Sequence, residues 1–171
     1  MKAVLRKVGG ADLDQLHQIV VDTFVLSFAH LNDPEDFKMY VSQNLSKSQL
    51  YKELNNVDSL FYFVLLDEVV TGYLKLNRRA AQTEQYLPNA LEIERIYILP
   101  QCQGLGIGKL MINKAKEIAI EEQYPILWLG VWEENKAAIR FYKREGFDAF
   151  DKHTFLLGSD VQTDLMMKMD I

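Results

Sequence analysis

Ile96-Tyr97-Ile98-Leu99-Pro100-Gln101-Cys102-Gln103-Gly104-Leu105-Gly106-Ile107-Gly108-Lys109 is the stretch whose reading decides the fold. Branched and aromatic residues stop at a proline, three alternate glycines follow, and an amphipathic run begins. That order reads as strand, turn, helix. Glycine lets the backbone come close to a ligand and take positive φ. At the helix start the first N–H groups have no intrahelical partner and sit at the positive end of the dipole. Such a turn suits a phosphate group.

Two common phosphate motifs do not fit. A P-loop ending at Gly108-Lys109 needs glycine where Gln103 stands and Ser or Thr where Leu110 stands. A dinucleotide fingerprint from Gly104 and Gly106 needs a third glycine at position 109, which is Lys109. What does fit is [RQ]-x-x-G-x-[GA], as Gln103-Gly104-Leu105-Gly106-Ile107-Gly108. Downstream, after one helix and one strand, stands Asn135-Lys136-Ala137-Ala138-Ile139-Arg140-Phe141-Tyr142-Lys143-Arg144-Glu145-Gly146-Phe147. Asn135 suits a helix N-cap and Gly146 a left-handed C-terminal stop.

In this order and spacing, the two segments resemble the signatures of the GNAT N-acetyltransferase family. The resemblance extends over nearly the whole chain. It implies one N-acetyltransferase domain over 1–171. The fold expected is mixed α/β, a central and mostly antiparallel sheet with a parallel splayed pair and helices on both faces. It implies acetyl-CoA as cosubstrate and no metal. The pyrophosphate would lie on Gln103, Gly104, Leu105, Gly106, Ile107, Gly108 and Lys109. Pantetheine would align along Ile96, Tyr97 and Ile98 like an added strand, with Asn135 beside the arm and an N–H near Tyr97 or Ile98 facing the thioester oxygen. Tyr142 would protonate the leaving thiolate. A glutamate on the 90–98 strand would take the amine's proton. Glu92 and Glu94 both qualify, and the sequence does not rank them. Direct attack in a ternary complex follows, without an acyl-enzyme. Cys102 sits in the turn, away from the reacting carbonyl. His17, His30 and His153 have no spacing for a metal or a triad and read as surface or core residues.

Working outward, Ala3–Lys7 reads as a strand. Asp12 is placed to cap a helix whose apolar face is Leu13, Leu16, Ile19, Val20, Phe24 and Phe28. Asp33-Pro34 opens a second helix. Ser46-Lys47-Ser48-Gln49 has the pattern of a capping box. Ser59–Leu66 and Val70–Asn77 read as a hairpin around Asp67-Glu68. Residues 80–89 are a polar loop. Along 90–98, strict alternation would put Ala90, Glu92, Glu94, Ile96 and Ile98 on one face and Leu91, Ile93, Arg95 and Tyr97 on the other. A helix over 106–123, a strand over 126–131, a helix over 135–145 and strands over 148–157 and 162–169 complete the chain.

Composition bounds the rest. The chain has 171 residues and a net charge of −5. The longest apolar run, Leu60–Leu66, is far short of the roughly 20 residues a spanning helix needs. The N-terminal residues lack the apolar region of a signal peptide, so a cytoplasmic protein is expected. One cysteine excludes an internal disulfide. The acidic balance argues against a nucleic-acid partner. It agrees with a cationic substrate.

Leu91–Ile98, Trp128–Glu133, Gln162–Leu165, Asp22-Thr23-Phe24 and Phe61-Tyr62-Phe63 resemble the spermidine/spermine acetyltransferases of the same family. A polyamine is then the amine implied, with Glu92, Glu94, Asp164, Asp33, Glu35 and Asp36 as candidate acids and Tyr40, Tyr97 and Trp132 as candidate faces. An acceptor amine on a peptide N-terminus or an antibiotic stays open, as does an acetyl-CoA-binding regulator without turnover. The family often pairs subunits, which makes a homodimer an implication of the resemblance.

Overall fold

The strands form where aromatic and branched residues cluster. Their order explains where a cleft opens. The computed structural model describes residues 2–171; Met1 lies outside the described residues. The strands are β1 (Ala3–Lys7), β2 (Ser59–Leu66), β3 (Val69–Asn77), β4 (Ala90–Ile98), β5 (Ile126–Trp132), β6 (Asp148–Leu157) and β7 (Asp160–Asp170). The helices are α1 (Leu13–Phe28), α2 (Pro34–Asn44), α3 (Lys47–Leu54), α4 (Ile107–Glu121) and α5 (Lys136–Arg144). The strands build one sheet in the order β1-β2-β3-β4-β5-β7-β6. All neighbours are antiparallel except β4 and β5. The mixed, mostly antiparallel sheet expected from the sequence is the one found.

The parallel pair is short. It runs from Ala90↔Ile126 to Ile93↔Leu129 and stops, although β4 continues to Ile98 and β5 to Trp132. Beyond Ile93 the two strands diverge and leave a notch in the middle of the sheet.

A register shift in β4 marks the same place. Lys75 pairs with Arg95, but the next residue, Leu76, pairs with Ile93, so Glu94 is an extra residue in a β-bulge. The bulge corrects the strict alternation expected along 90–98. Leu91 and Ile93 share a core with Ile96 and Ile98, while Tyr97 packs into the opposite one. An extra residue flips the parity of everything after it.

Helices cover both faces. Against one, α4 and α5 bury Ile107, Met111, Ala115, Ile118 and Tyr142 with Leu74, Leu91 and Leu129 of the sheet. Against the other, α1 to α3 bury Leu16, Ile19, Val20, Phe24, Phe37 and Leu50 with Phe61, Phe63 and Tyr73. Each fully buried Leu or Phe side chain contributes roughly 1.5–3 kcal/mol.

Local signals are mostly kept. Asp67 and Glu68 have φ of 48° and 69°, as a two-residue hairpin turn with both central residues left-handed requires. Asp33 accepts from the N–H groups of Glu35 and Asp36, and Asn135 from that of Ala138. Two caps differ. The Asp12 carboxylate does not cap α1; it accepts from Gly9 N–H and pairs with Arg6. Ser46 caps α3 through Gln49 N–H, but the Gln49 side chain turns forward to Glu53 rather than back. Among the described residues no helix is long and apolar enough to cross a membrane.

Candidate active site in the notch of the sheet

A cleft of about 1010 Å³ occupies the notch and runs from the glycine turn to the β6–β7 hairpin. At one end Leu99 N–H bonds to Thr71 O, a short 3-10 turn spans Pro100–Cys102, and α4 starts at Ile107. Gly104 and Gly106 have φ of 78° and 77°, a region that favours glycine. Gly108 has a different reason to be glycine. A Cβ there would stand 3.0 Å from Phe141 Cζ. Gln103, Gly104, Gly106, Gly108 and Lys109 line the cleft. Leu105 and Ile107 do not: Leu105 is exposed and the Ile107 side chain is sealed in the core. At Ile107 only the backbone is open to a ligand. The turn therefore has what a phosphate needs, open N–H groups at a helix start with no side chain in the way.

Ile96, Tyr97 and Ile98 line the middle of the cleft along the unpaired edge of β4. Asn135 and Tyr142 stand on the wall made by α5. Tyr142 is buried against the rings of Phe141 and Phe147. Burial alone pushes its phenol above the ordinary value, so it holds its proton. Cys102 is buried in the 3-10 turn.

The two strand glutamates lie on one face but in different settings. Glu94 pairs with Lys75, and with Arg95 at 3.0 Å. Behind it Glu53 of α3 takes both cations, Lys75 and Arg95 each at 2.9 Å. Among the described residues no cation pairs with Glu92, which is only 2% exposed. Its Oε2 accepts from Thr83 N–H at 2.9 Å and from Asn77 Nδ2 at 3.2 Å, and its Oε1 bonds to the Thr83 hydroxyl. Asn77 also donates to Glu94, and its own oxygen accepts from Ser59 at 2.9 Å. Burial pushes the Glu92 carboxyl up to about 7, with the Glu94 charge adding to the rise and the Thr83 and Asn77 bonds opposing it. A carboxyl poised there can take a proton at neutral pH.

Opposite Glu92, the β6–β7 hairpin brings His153 and Asp164 to the cleft. His153 Nε2 lies 3.7 Å from Asp164 Oδ2, and Nδ1 lies 3.8 Å from Glu84 Oε1. Burial raises the Asp164 carboxyl and His153 works against it. His153 thus belongs to the cleft wall, which its spacing in the sequence did not signal. Tyr40, Tyr97 and Trp132 line the cleft as well. Asp33, Glu35 and Asp36 do not: Asp33 caps α2, and Asp36 accepts from Ser159 N–H and Oγ. Sequence reading missed Thr83 and Asn77. Thr83 lies in an irregular loop with no period, and Asn77 is a strand-end amide whose partners come from β2 and β4. Among the described residues no three His, Cys, Asp or Glu side chains gather as a metal site.

Comparisons with known proteins agree with this architecture. Residues 13–147 match the sequence model of the acetyltransferase (GNAT) family. An uncharacterised N-acetyltransferase from the pepI 3′ region of Lactobacillus delbrueckii subsp. lactis is 40% identical over 162 residues, covering 95% of this chain and 94% of the relative. The spermidine N(1)-acetyltransferase of Thermoplasma acidophilum is 24% identical over 155 residues, 88% of this chain and 91% of its own. The crystal structure of the PaiA N-acetyltransferase from Thermoplasma acidophilum in complex with coenzyme A superposes with a TM-score of 0.80 at 22% identity, covering 100% of both chains.

Proposed function

Because the chain belongs to the acetyltransferase (GNAT) family and is an acetyl-CoA-dependent N-acetyltransferase, we propose that its acceptor is a cytoplasmic polyamine of the spermidine/spermine type. The observation that carries this is the lining of the cleft. Asp164 and Glu134 line it as acids, and Tyr40, Tyr97 and Trp132 as aromatic faces. A chain of methylenes punctuated by ammonium groups is complementary to both. Similarity to the Thermoplasma spermidine N(1)-acetyltransferase supports the same reading.

Acetyl-CoA supplies the acetyl group as a thioester whose carbonyl carbon accepts the amine. The chain's own residues do the rest. The helix start at Gln103–Lys109 binds the pyrophosphate, with Ile107 contributing its N–H group only. Ile96, Tyr97 and Ile98 hold the arm along their free edge, Asn135 flanks it, and an N–H at Tyr97 or Ile98 faces the carbonyl oxygen. Glu92 accepts the proton that an ammonium with a pKa of about 10 must lose. Glu94 is held by Lys75 and Arg95 and does not serve as base. Tyr142 holds a proton for the departing sulfur.

The test is an acceptor panel with coenzyme A release as readout. It compares spermidine, spermine, an alanine-terminated peptide and an aminoglycoside. The polyamines are expected to show a kcat/KM at least tenfold above the others. Preference for the peptide or the aminoglycoside overturns the polyamine assignment. Tight acetyl-CoA binding with no turnover on any amine points instead to a regulator.

A further inference from the structure

The carboxylate assigned as base lines the cleft but is almost closed off from solvent. Glu92 is 2% exposed, yet the acceptor amine must deliver a proton to it. Thr83 stands at that boundary. It is exposed, it lines the cleft, and it touches both carboxylate oxygens, Oε2 through its N–H at 2.9 Å and Oε1 through its hydroxyl. From behind, Asn77 Nδ2 holds Oε2 at 3.2 Å.

The loop that carries Thr83 is anchored on both sides. Gln82 Oε1 accepts from Trp128 Nε1 at 2.7 Å. Gln85 Nε2 donates to Arg79 O at 3.0 Å, and Arg79 pairs with Asp58 at 2.9 Å. Glu84 faces His153. A threonine fixed this way is placed like a catalytic group, because its hydroxyl both donates and accepts.

We propose that the Thr83 hydroxyl relays the proton from the acceptor's ammonium to Glu92. As the N–H bond breaks, the nitrogen keeps the electron pair and Thr83 Oγ gains the proton. Thr83's own O–H proton passes to Glu92 Oε1 in the same movement, so the threonine ends neutral and Glu92 ends as the acid. This rests on Glu92 being the base. It makes Thr83 a catalytic residue in its own right, and it gives the polar 80–89 loop a chemical role.

The charged surroundings of Glu92 govern the pH readout. Glu94 is on its own strand, with Lys75 of β3, Arg95 of β4 and Glu53 of α3 gathered on Glu94. Glu84 lies on the loop, and His153 and Asp164 lie on the hairpin beyond it. The Thr83 bonds lower the Glu92 carboxyl, so removing them moves its titration upward.

The experiment measures pH–rate profiles for Thr83→Val, Thr83→Ser and Glu92→Gln. The acceptor is spermidine, or the amine of the panel above with the highest turnover. Thermal unfolding confirms that each variant folds. Thr83→Val is expected to lower kcat at least tenfold on the alkaline plateau, where Glu92 is ionised in the parent and in both Thr83 variants. Thr83→Ser keeps the hydroxyl and is expected within threefold of the parent, with KM for acetyl-CoA unchanged in both. A Thr83→Val enzyme that keeps its plateau kcat and only shifts its acid limb upward overturns the relay. Parental turnover in Glu92→Gln overturns the assignment of the base, and the relay with it.

Discussion

Gly108 and Phe141 meet so closely that a Cβ on the glycine would stand 3.0 Å from the phenyl Cζ. One residue belongs to the glycine turn and the other to the segment after β5. The two sequence signatures are therefore one packed unit, with the ring on the first turn of α4 and at the cleft wall.

Gly108→Ala tests that contact. Alanine gains about 1 kcal/mol of helix propensity and loses a similar amount to overpacking. The melting temperature should stay within a few degrees. The displaced ring should raise KM for acetyl-CoA several-fold, as read by steady-state kinetics. Adding Phe141→Leu should restore KM, because the shortened side chain leaves room for the methyl.

The pH dependence of kcat/KM should report Glu92. The base must be ionised, and its carboxyl is pushed up to about 7. Activity should therefore fall about tenfold per unit below that value. Glu92→Gln should cost roughly 100-fold or more and abolish the limb. Stability runs the other way. The folded state binds the extra proton, so the contribution of Glu92 to stability is fully present below about 4.5, the group's ordinary value, and is lost as pH rises through 7. Urea unfolding at both pH values should show that slope in the parent and not in Glu92→Gln.

Tyr142→Phe should lower kcat at least tenfold and leave KM for acetyl-CoA unchanged. Its stability should remain within about 1 kcal/mol of the parent. The reason is that burial is the sole cause of the phenol's shift, with no hydrogen bond contributing to it.

Lys75→Met should be strongly destabilising, by about 3–5 kcal/mol in urea unfolding. Lys75 is 4% exposed and lies between Glu53 and Glu94, so its loss leaves buried carboxylates short of a cation. Adding Glu94→Gln should recover part of that loss, because Arg95 still serves Glu53.

The fold was legible where local chemistry repeats. The three alternate glycines, the hairpin at Asp67-Glu68 and the Asn135 cap are each decided by a few adjacent residues. The glycine turn and the Asn135–Phe147 segment were legible as residues that come to one cleft. Its acceptor half was not. Whether Glu92 or Glu94 is free depends on Lys75, Arg95 and Glu53, which come from three elements. The bulge at Glu94 breaks the period on which strand reading rests, and no composition rule announces it. Thr83 and His153 reach the cleft only because a loop and a distant hairpin meet there.

The notch between β4 and β5 gives the sheet an inner edge. Open edges invite other chains to add a strand and aggregate. Here the edge is recessed between two strands that are still joined at one end, from Ala90↔Ile126 to Ile93↔Leu129. A foreign strand would have to bring its side chains down between α4, α5 and the wall of α1. A slender chain that carries amides and almost no side groups meets no such obstacle. An inner edge hemmed in this way would admit a thread more readily than a ribbon.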